Sequence, residues 1–195
     1  MPVLKYEHML VFVKRSEDKD AMMDKPARGV QGKGVKQLTS EEMQELADGT
    51  RCNGTALRKA TRRVSQLYDE VLAPCGLRST QRSLLVHIAR AKAPTMGELA
   101  VALVLDRSAL AQNLKPLERD GLIEIQVDEE DRRSRRIKLT SQGNAKLVES
   151  TKLWQRAQHR FEHVFGEEKA RALRTSLLAI SSMDFEGAFL DAPDA

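Results

Sequence analysis

Apolar residues in this chain recur mostly at spacings of three and four, and over one short stretch at a spacing of two. From about Gly54 to Ala73, the residues Leu57, Ala60, Val64, Leu67 and Val71 form one stripe on a helix otherwise rich in Arg and Lys, stopped by Pro74 and Gly76. Ser79 can cap a second helix carrying Leu84, Leu85, Ile88 and Ala89 and ending near Ala93-Pro94. Thr95-Met96-Gly97-Glu98 has capping-box spacing and opens a short helix, Met96 to about Val104, with Leu99, Ala100 and Leu103 inward. Asp106 restarts a helix after a tight break. Leu110, Leu114 and Leu117 face inward on it, and Asp120-Gly121-Leu122 closes it with glycine in the left-handed position. Pro116 removes the bond to the Gln112 carbonyl and should kink that helix, leaving 106–115 as its straight part.

After Gly121 the period becomes two, in Leu122-Ile123-Glu124-Ile125-Gln126-Val127. The charged or polar run Asp128 to Arg136 follows, then Ile137-Lys138-Leu139-Thr140, which together predict two strands joined by a charged tip. Ser141 to Phe165 and Glu167 to Phe189 read as two long helices broken at Gly166, with Leu147, Trp154, Phe161, Leu173, Leu177 and Ile180 on apolar faces. Upstream, Lys14 to Lys36 holds charges, Pro26 and three glycines with few residues able to pack, so residues 1 to about 38 read as a mobile extension. A DNA-contacting basic arm is the alternative there. Thr39-Ser40-Glu41-Glu42 then opens a short helix to about Ala47. The domain division is therefore 1–48, a largely flexible extension, and 49–190, the folded domain.

The 195 residues suffice for one hydrophobic core, and an aromatic content of 4% with abundant Leu, Ala, Glu, Lys and Arg favours helices. The expected class is mainly α with a small β-wing. Net charge is +4, and its distribution says more: residues 49–140 carry 17 Lys/Arg against 11 Asp/Glu, residues 141–195 carry 7 against 8. Basicity thus concentrates in the middle of the chain, where a nucleic-acid partner would be met. Cys52 and Cys75 make no disulfide framework, and neither a signal segment nor an apolar run near membrane-spanning length is evident, so a cytoplasmic protein with no membrane association is expected.

A short helix, a tight turn, a second helix and a hairpin with a basic tip form the winged helix-turn-helix arrangement. On duplex DNA the second helix of the pair enters the major groove with its first turns. Opposite the leucines it offers Ser108, Ala109, Gln112, Asn113 and Lys115. Gln and Asn suit adenine edges, Ser any base, the Ala methyl thymine, while Arg107 and Lys115 suit phosphates. A merely solvated face is the competing reading. The tip Asp131-Arg132-Arg133-Ser134-Arg135-Arg136 places four arginines in five residues where a hairpin projects them along a groove. The acids Asp128 to Asp131 are candidates to neutralise them.

The stretch "GELAVALVLDRSALAQNLKPLERDGLIEI" followed by "DEEDRRSRRIKLTSQG" resembles the MarR family in its recognition helix, Asp-Arg-Arg wing and Leu-Thr-x-x-Gly lead-in to the next helix. The resemblance covers about residues 52–190. It implies a helix-turn-helix at about 95–121, a wing at about 122–140, and a homodimer interlocked through dimerisation helices at about 54–73 and 141–189, reading a pseudo-palindromic double-stranded operator. It further implies that Asp131 orients a wing arginine and that Asp131, Arg132, Arg133 and Arg135 serve at a minor groove. Close relatives often carry Arg where Gln112 stands, so operator preference differs. A repressor released by a small aromatic or phenolic effector, bound between the DNA-binding lobe and the dimer helices, is the function the resemblance suggests.

Two alternatives remain open: a thiol-sensing regulator of the same fold, and a protein-interaction module that does not bind DNA. Cys52 and Cys75 are the candidate redox residues, yet an intervening helix would hold them roughly 30 Å apart, beyond disulfide reach within one chain. His159 and His163 share a helix face, but sequence fixes no third ligand, so they read as a solvated or interface pair and no metal is expected. His87 reads as a packed or pocket residue. Without a phosphate loop, nucleophile elbow, H-E-x-x-H or paired-Cys motif, neither cofactor nor enzymatic activity is expected.

Overall fold

A computed structural model describes residues 39, 40, 43, 52–128 and 131–193. The chain divides into two units, Met1–Ala47 and Asp48–Ala195. In the first, Ser40 and Met43 are helical and the Met43 amide donates to the Thr39 carbonyl at 2.8 Å. The expected extension over 1–38 and the remainder of the 39–47 helix lie outside the described residues.

The second unit begins with α1, Asn53–Leu72. Cys52 is its N-cap, in extended conformation, with Sγ accepting the Thr55 amide at 3.4 Å. Pro74 turns the chain into a short 3-10 segment, Ala73–Cys75, and Gly76 leaves it at φ 70°, in the left-handed region glycine favours. Helix α2 spans Ser79–Ala91. Ser79 is not its cap as expected but its first helical residue. Arg78 enters extended and takes the cap position, Gln81 Oε1 accepts the Arg78 amide at 2.9 Å, and Asp69 of α1 accepts the Ser79 amide at 2.6 Å. The free amides at this helix end are thus met from Gln81 and from a neighbouring helix.

Helices α3, Met96–Ala102, and α4, Arg107–Arg119, form the helix-turn-helix. Thr95 Oγ1 accepts the Glu98 amide at 3.2 Å while Glu98 Oε2 accepts the Thr95 amide at 2.7 Å, a full capping box. Asp106 caps α4 by accepting the Ala109 amide at 2.7 Å. Between them Val104 stands at φ 52°, unusual for a β-branched residue. Helix α4 runs through Pro116 to Arg119. Proline there withdraws a bond only from the last turn, where Leu114 and Leu117, both almost fully buried, hold the helix to the core.

Strands β1, Ile123–Val127, and β2, Arg135–Leu139, pair antiparallel with Ile125 opposite Ile137. The second strand starts two residues before the expected Ile137, so Arg135 and Arg136 belong to the strand and the tip shortens. A third stub joins this sheet: Thr95 bridges to Arg136, and the Ile137 amide donates to the Pro94 carbonyl at 2.9 Å.

Helix α5, Ser141–Phe165, opens where Thr140 receives the Gly143 amide at 3.0 Å and donates its hydroxyl to the Gly121 carbonyl at 2.6 Å. Gly143 is buried against the Leu122 carbonyl, and a Cβ there would collide with it. The Leu-Thr-x-x-Gly landmark therefore locks α5 to the end of α4. The expected second C-terminal helix, reaching 189, is two helices: α6, Glu167–Ile180, and α7, Met183–Leu190. Ser182 breaks it by turning extended and accepting the Phe185 amide at 3.2 Å.

One buried cluster joins these elements, with Leu72, Leu77, Leu84, Leu85, Ile88, Leu99, Leu110, Leu114, Leu117, Leu122, Ile123 and Ile137 among its members. By contrast Leu57 and Leu67 on α1, Leu173, Leu177, Leu178 and Ile180 on α6, and Phe185, Phe189 and Leu190 on α7 are exposed. So much apolar surface on terminal helices signals an association face.

Candidate nucleic-acid interface

Packing against α2, α3 and β1 fixes α4 so that its inner face is spent on Leu110, Leu114 and Leu117. Arg107, Ser108, Gln112, Asn113 and Lys115 are exposed, and Ala109 is half-buried. Five of the six expected contact residues thus line the solvent side of one helix. The Arg107 guanidinium reaches back toward Gly97, where a Cβ would stand 3.5 Å from Nη2, so it sits at the start of α3 rather than out along α4.

At the wing, Asp131, Arg132, Arg133 and Arg135 are exposed. Asp131 Oδ1 accepts the Arg133 backbone amide at 3.0 Å, and its carbonyl receives the Ser134 amide at 2.8 Å. The carboxylate thus shapes the turn through the Arg133 backbone, where a contact with an arginine side chain was expected. Among the described residues, the guanidinium groups of Arg132, Arg133 and Arg135 meet no carboxylate. Among the described residues the anticipated neutralisation reaches one of the four arginines, Arg136, whose Nε lies 2.6 Å from Oδ2 of Asp128, a residue only 5% exposed. Glu129 and Glu130 lie outside the described residues.

Sequence reasoning offered Asp128 as a neutralising acid but did not single out its pairing with Arg136. Gln126 faces Arg136 across the ladder, which puts Asp128 diagonally next to it, but that register is invisible while the hairpin loop has no two-residue turn signature.

Behind the helix-turn-helix, a cavity of about 160 Å³ opens between α1, α2 and α5, lined by Tyr68, Leu72, Ser79, Arg82, Ser83, Val86 and Trp154. Burial holds the Arg82 pKa below its ordinary value, and its Nε, like Ser79 Oγ, is buried without a hydrogen-bond partner among the described residues. Tyr68 donates its hydroxyl to Gln158 at 3.0 Å, and burial, then the Glu162 carboxylate, raises its pKa. Glu162 in turn accepts from Gln158 and Arg174, at 2.8 and 2.9 Å, which lowers its own pKa. This polar chain ties α1, α5 and α6 together.

Cys52 is exposed, and hydrogen bonds from Thr55 hold its thiol below the usual range. Cys75 is buried and donates Sγ–H to the Leu72 carbonyl at 3.0 Å. Helix α1 separates them. His159 and His163 stack at 6.4 Å, His87 Nδ1 lies 2.8 Å from the Ser83 carbonyl, and no group of three or more His, Cys, Asp or Glu able to hold a metal occurs among the described residues.

The sequence pattern of the MarR family matches residues 76–134, from the turn before α2 to the wing tip. No curated protein matches the chain. Among solved structures, the transcriptional regulator MosR of M. tuberculosis in complex with DNA is 33% identical at a TM-score of 0.62, over 67% of this chain and 94% of that one. The transcriptional repressor CouR, from Rhodococcus jostii RHA1, bound to a DNA duplex is 28% identical at 0.62, over 75% and 99%. A cysteine-to-serine mutant of MarR from E. coli, complexed with operator DNA, is 24% identical at 0.63, over 69% and 97%, and shares the fold.

Proposed function

Because the chain belongs to the MarR family, we propose that it is a homodimeric, sequence-specific DNA-binding transcription regulator of the cytoplasm, a repressor that a small aromatic or phenolic ligand releases from its operator. The observation that carries this reading is the exposed polar face of α4 beside Arg132, Arg133 and Arg135 of the wing, which meet no carboxylate among the described residues. Ser108, Ala109, Gln112 and Asn113 read base edges in the major groove, Arg107 and Lys115 hold phosphates, and Arg132, Arg133 and Arg135 follow the minor groove with Asp131 shaping their turn. Two relatives, at 33% and 28% identity, are regulators solved on DNA, which supports the same partner here.

The exposed apolar residues of α1, α6 and α7 form the dimer face, and the dimer sets two recognition helices about one helical turn apart for a pseudo-palindromic site. The effector enters the cavity beside Arg82 and Trp154, where it changes the angle between lobe and dimer helices and so the half-site fit. No described helix is long and apolar enough to cross a membrane, and the role is regulatory rather than catalytic.

Binding of the purified protein to its own upstream intergenic DNA, at two salt concentrations and against unrelated DNA, tests the reading. Selective, salt-sensitive binding is expected. Equal affinity for both DNAs, at that site and at candidate palindromes elsewhere, would leave a protein-interaction module.

A second reading has one observation in its favour, the lowered thiol of exposed Cys52. There, oxidation at Cys52 releases DNA, and Cys52→Ser abolishes peroxide-triggered release; normal release from that variant rejects it. Buried Cys75 is structural on either reading.

A further inference from the structure

We infer that Asp128 and Arg136 are positioning residues that latch the wing to the start of the helix-turn-helix, so that DNA affinity depends on both although neither serves as a DNA contact. The inference rests on the DNA-binding reading. Arg136 joins three separate pieces of chain. Its Nε pairs with Asp128 at 2.6 Å, its Nη1 donates to the Ala93 carbonyl at 3.3 Å, and its backbone bridges Thr95. Next to it the Ile137 amide donates to Pro94, and Thr95 caps α3. Strand β2, the residue after β1, and the turn leading into α3 are therefore held by one side chain and its immediate neighbour.

Such a latch is needed. A two-stranded hairpin is marginal by itself, and the strands are joined through the long connection 128–134, whose turn at Asp131–Ser134 lies out at the tip, rather than through a two-residue turn that would set the hairpin's direction. Ile137 anchors one face in the core, which fixes the base of the wing but leaves its swing about that point to other bonds. Arg136 and Asp128 supply them on the opposite face. With Asp128 only 5% exposed, removing Arg136 takes a neutralising cation from a buried carboxylate, so the two residues are tested together.

Simple electrostatics and the latch predict opposite signs for one substitution. Asp128→Asn removes a negative charge from a basic wing, which by charge alone tightens binding to DNA. The latch predicts weaker binding, by about tenfold, because the tip arginines lose their aim. The experiment measures operator affinity of the full-length wild type, Asp128→Asn, and the neutral double variant Asp128→Asn/Arg136→Gln, which leaves no unpaired charge if the single variant folds poorly. Hydrogen exchange of the Ile137 amide is followed in the same proteins. Expected are weaker DNA binding, faster exchange at Ile137 with the α2 core amides unchanged, and a loss that disappears when Arg132 and Arg133 are already Ala. That last readout separates aiming from general instability, which would weaken binding in either background. Binding as tight as wild type or tighter overturns the latch. If the wild type binds no DNA, the DNA-binding reading falls, and unchanged Ile137 exchange overturns the latch independently.

Discussion

The guanidinium of Arg82 stands 4.7 Å from the ring centroid of Trp154, so α2 and α5 meet through a cation–π contact in the wall of the cavity. The same arginine has a buried Nε with no acceptor among the described residues. A ligand combining a carboxylate with a flat ring would satisfy both groups at once. Trp154 is also the one tryptophan of the chain, which makes its fluorescence a report from this site alone. Titration with a series of hydroxybenzoates is expected to change its emission saturably, and Arg82→Ala to weaken the best of them by about tenfold, the cost of one charge-assisted contact. An emission that stays flat across the series would remove this cavity as the effector site.

The wing tip makes a separate prediction. Arg132, Arg133 and Arg135 are exposed without carboxylate partners among the described residues, so their replacement disturbs little in the fold. Replacing all three by Ala should leave the melting temperature within a few degrees and lower operator affinity sharply. The slope of log K against log salt should shrink by roughly 0.9 for each phosphate that the variant no longer neutralises. An unchanged slope would mean that these arginines face solvent in the complex.

Most of the fold was legible because its signals are local. Thr95, Asp106 and Thr140 announce their helices through side chains three residues from the amides they meet, and Leu110, Leu114 and Leu117 mark one helix face. What escaped depends on partners far along the chain. Asp69 replaces Ser79 as the group that meets an amide at the start of α2, and Arg136 finds Asp128 and Ala93 only after the hairpin closes. The break at Ser181-Ser182 was hidden by apolar residues continuing on both sides. The candidate contact face of α4 was readable from spacing, whereas the cavity draws on three helices that no single stretch of sequence connects.

The capping box at α3 gives a pH prediction. Glu98 lies below its ordinary pKa of 4.5, held there first by the Thr95 amide and then by the Thr95 hydroxyl. A carboxyl depressed in the folded state contributes stability that is fully present above the unfolded value and is lost as pH falls through the folded one. Glu98→Gln keeps the hydrogen-bonding pattern of the box without the charge at the helix N-terminus. Thermal melts of the two proteins should therefore favour wild type at neutral pH and converge as pH drops below 4.5. A gap that persists in acid would assign the difference to packing instead.

Glycines at two places in the C-terminal helices should respond to the same substitution with opposite sign. In an open helix position, Ala in place of Gly restricts the unfolded chain and gains up to about 1 kcal/mol. Gly187 in α7 is such a position, because a methyl added there would meet nothing within 4 Å. Gly143 in α5 has the same intrinsic preference, but its methyl would strike the Leu122 carbonyl. That atom is backbone, tied down by the Thr140 amide at 3.1 Å and flanked by the Thr140 hydroxyl bond to Gly121, so it cannot yield without opening the junction between α4, the wing and α5. Over-packing of this kind costs about 1–3 kcal/mol and outweighs the propensity gain. Urea unfolding at fixed protein concentration should move the midpoint up for Gly187→Ala and down for Gly143→Ala, with similar slopes. If both midpoints rise, α5 does not press on Leu122, and the Leu-Thr-x-x-Gly lead-in acts through the Thr140 cap alone.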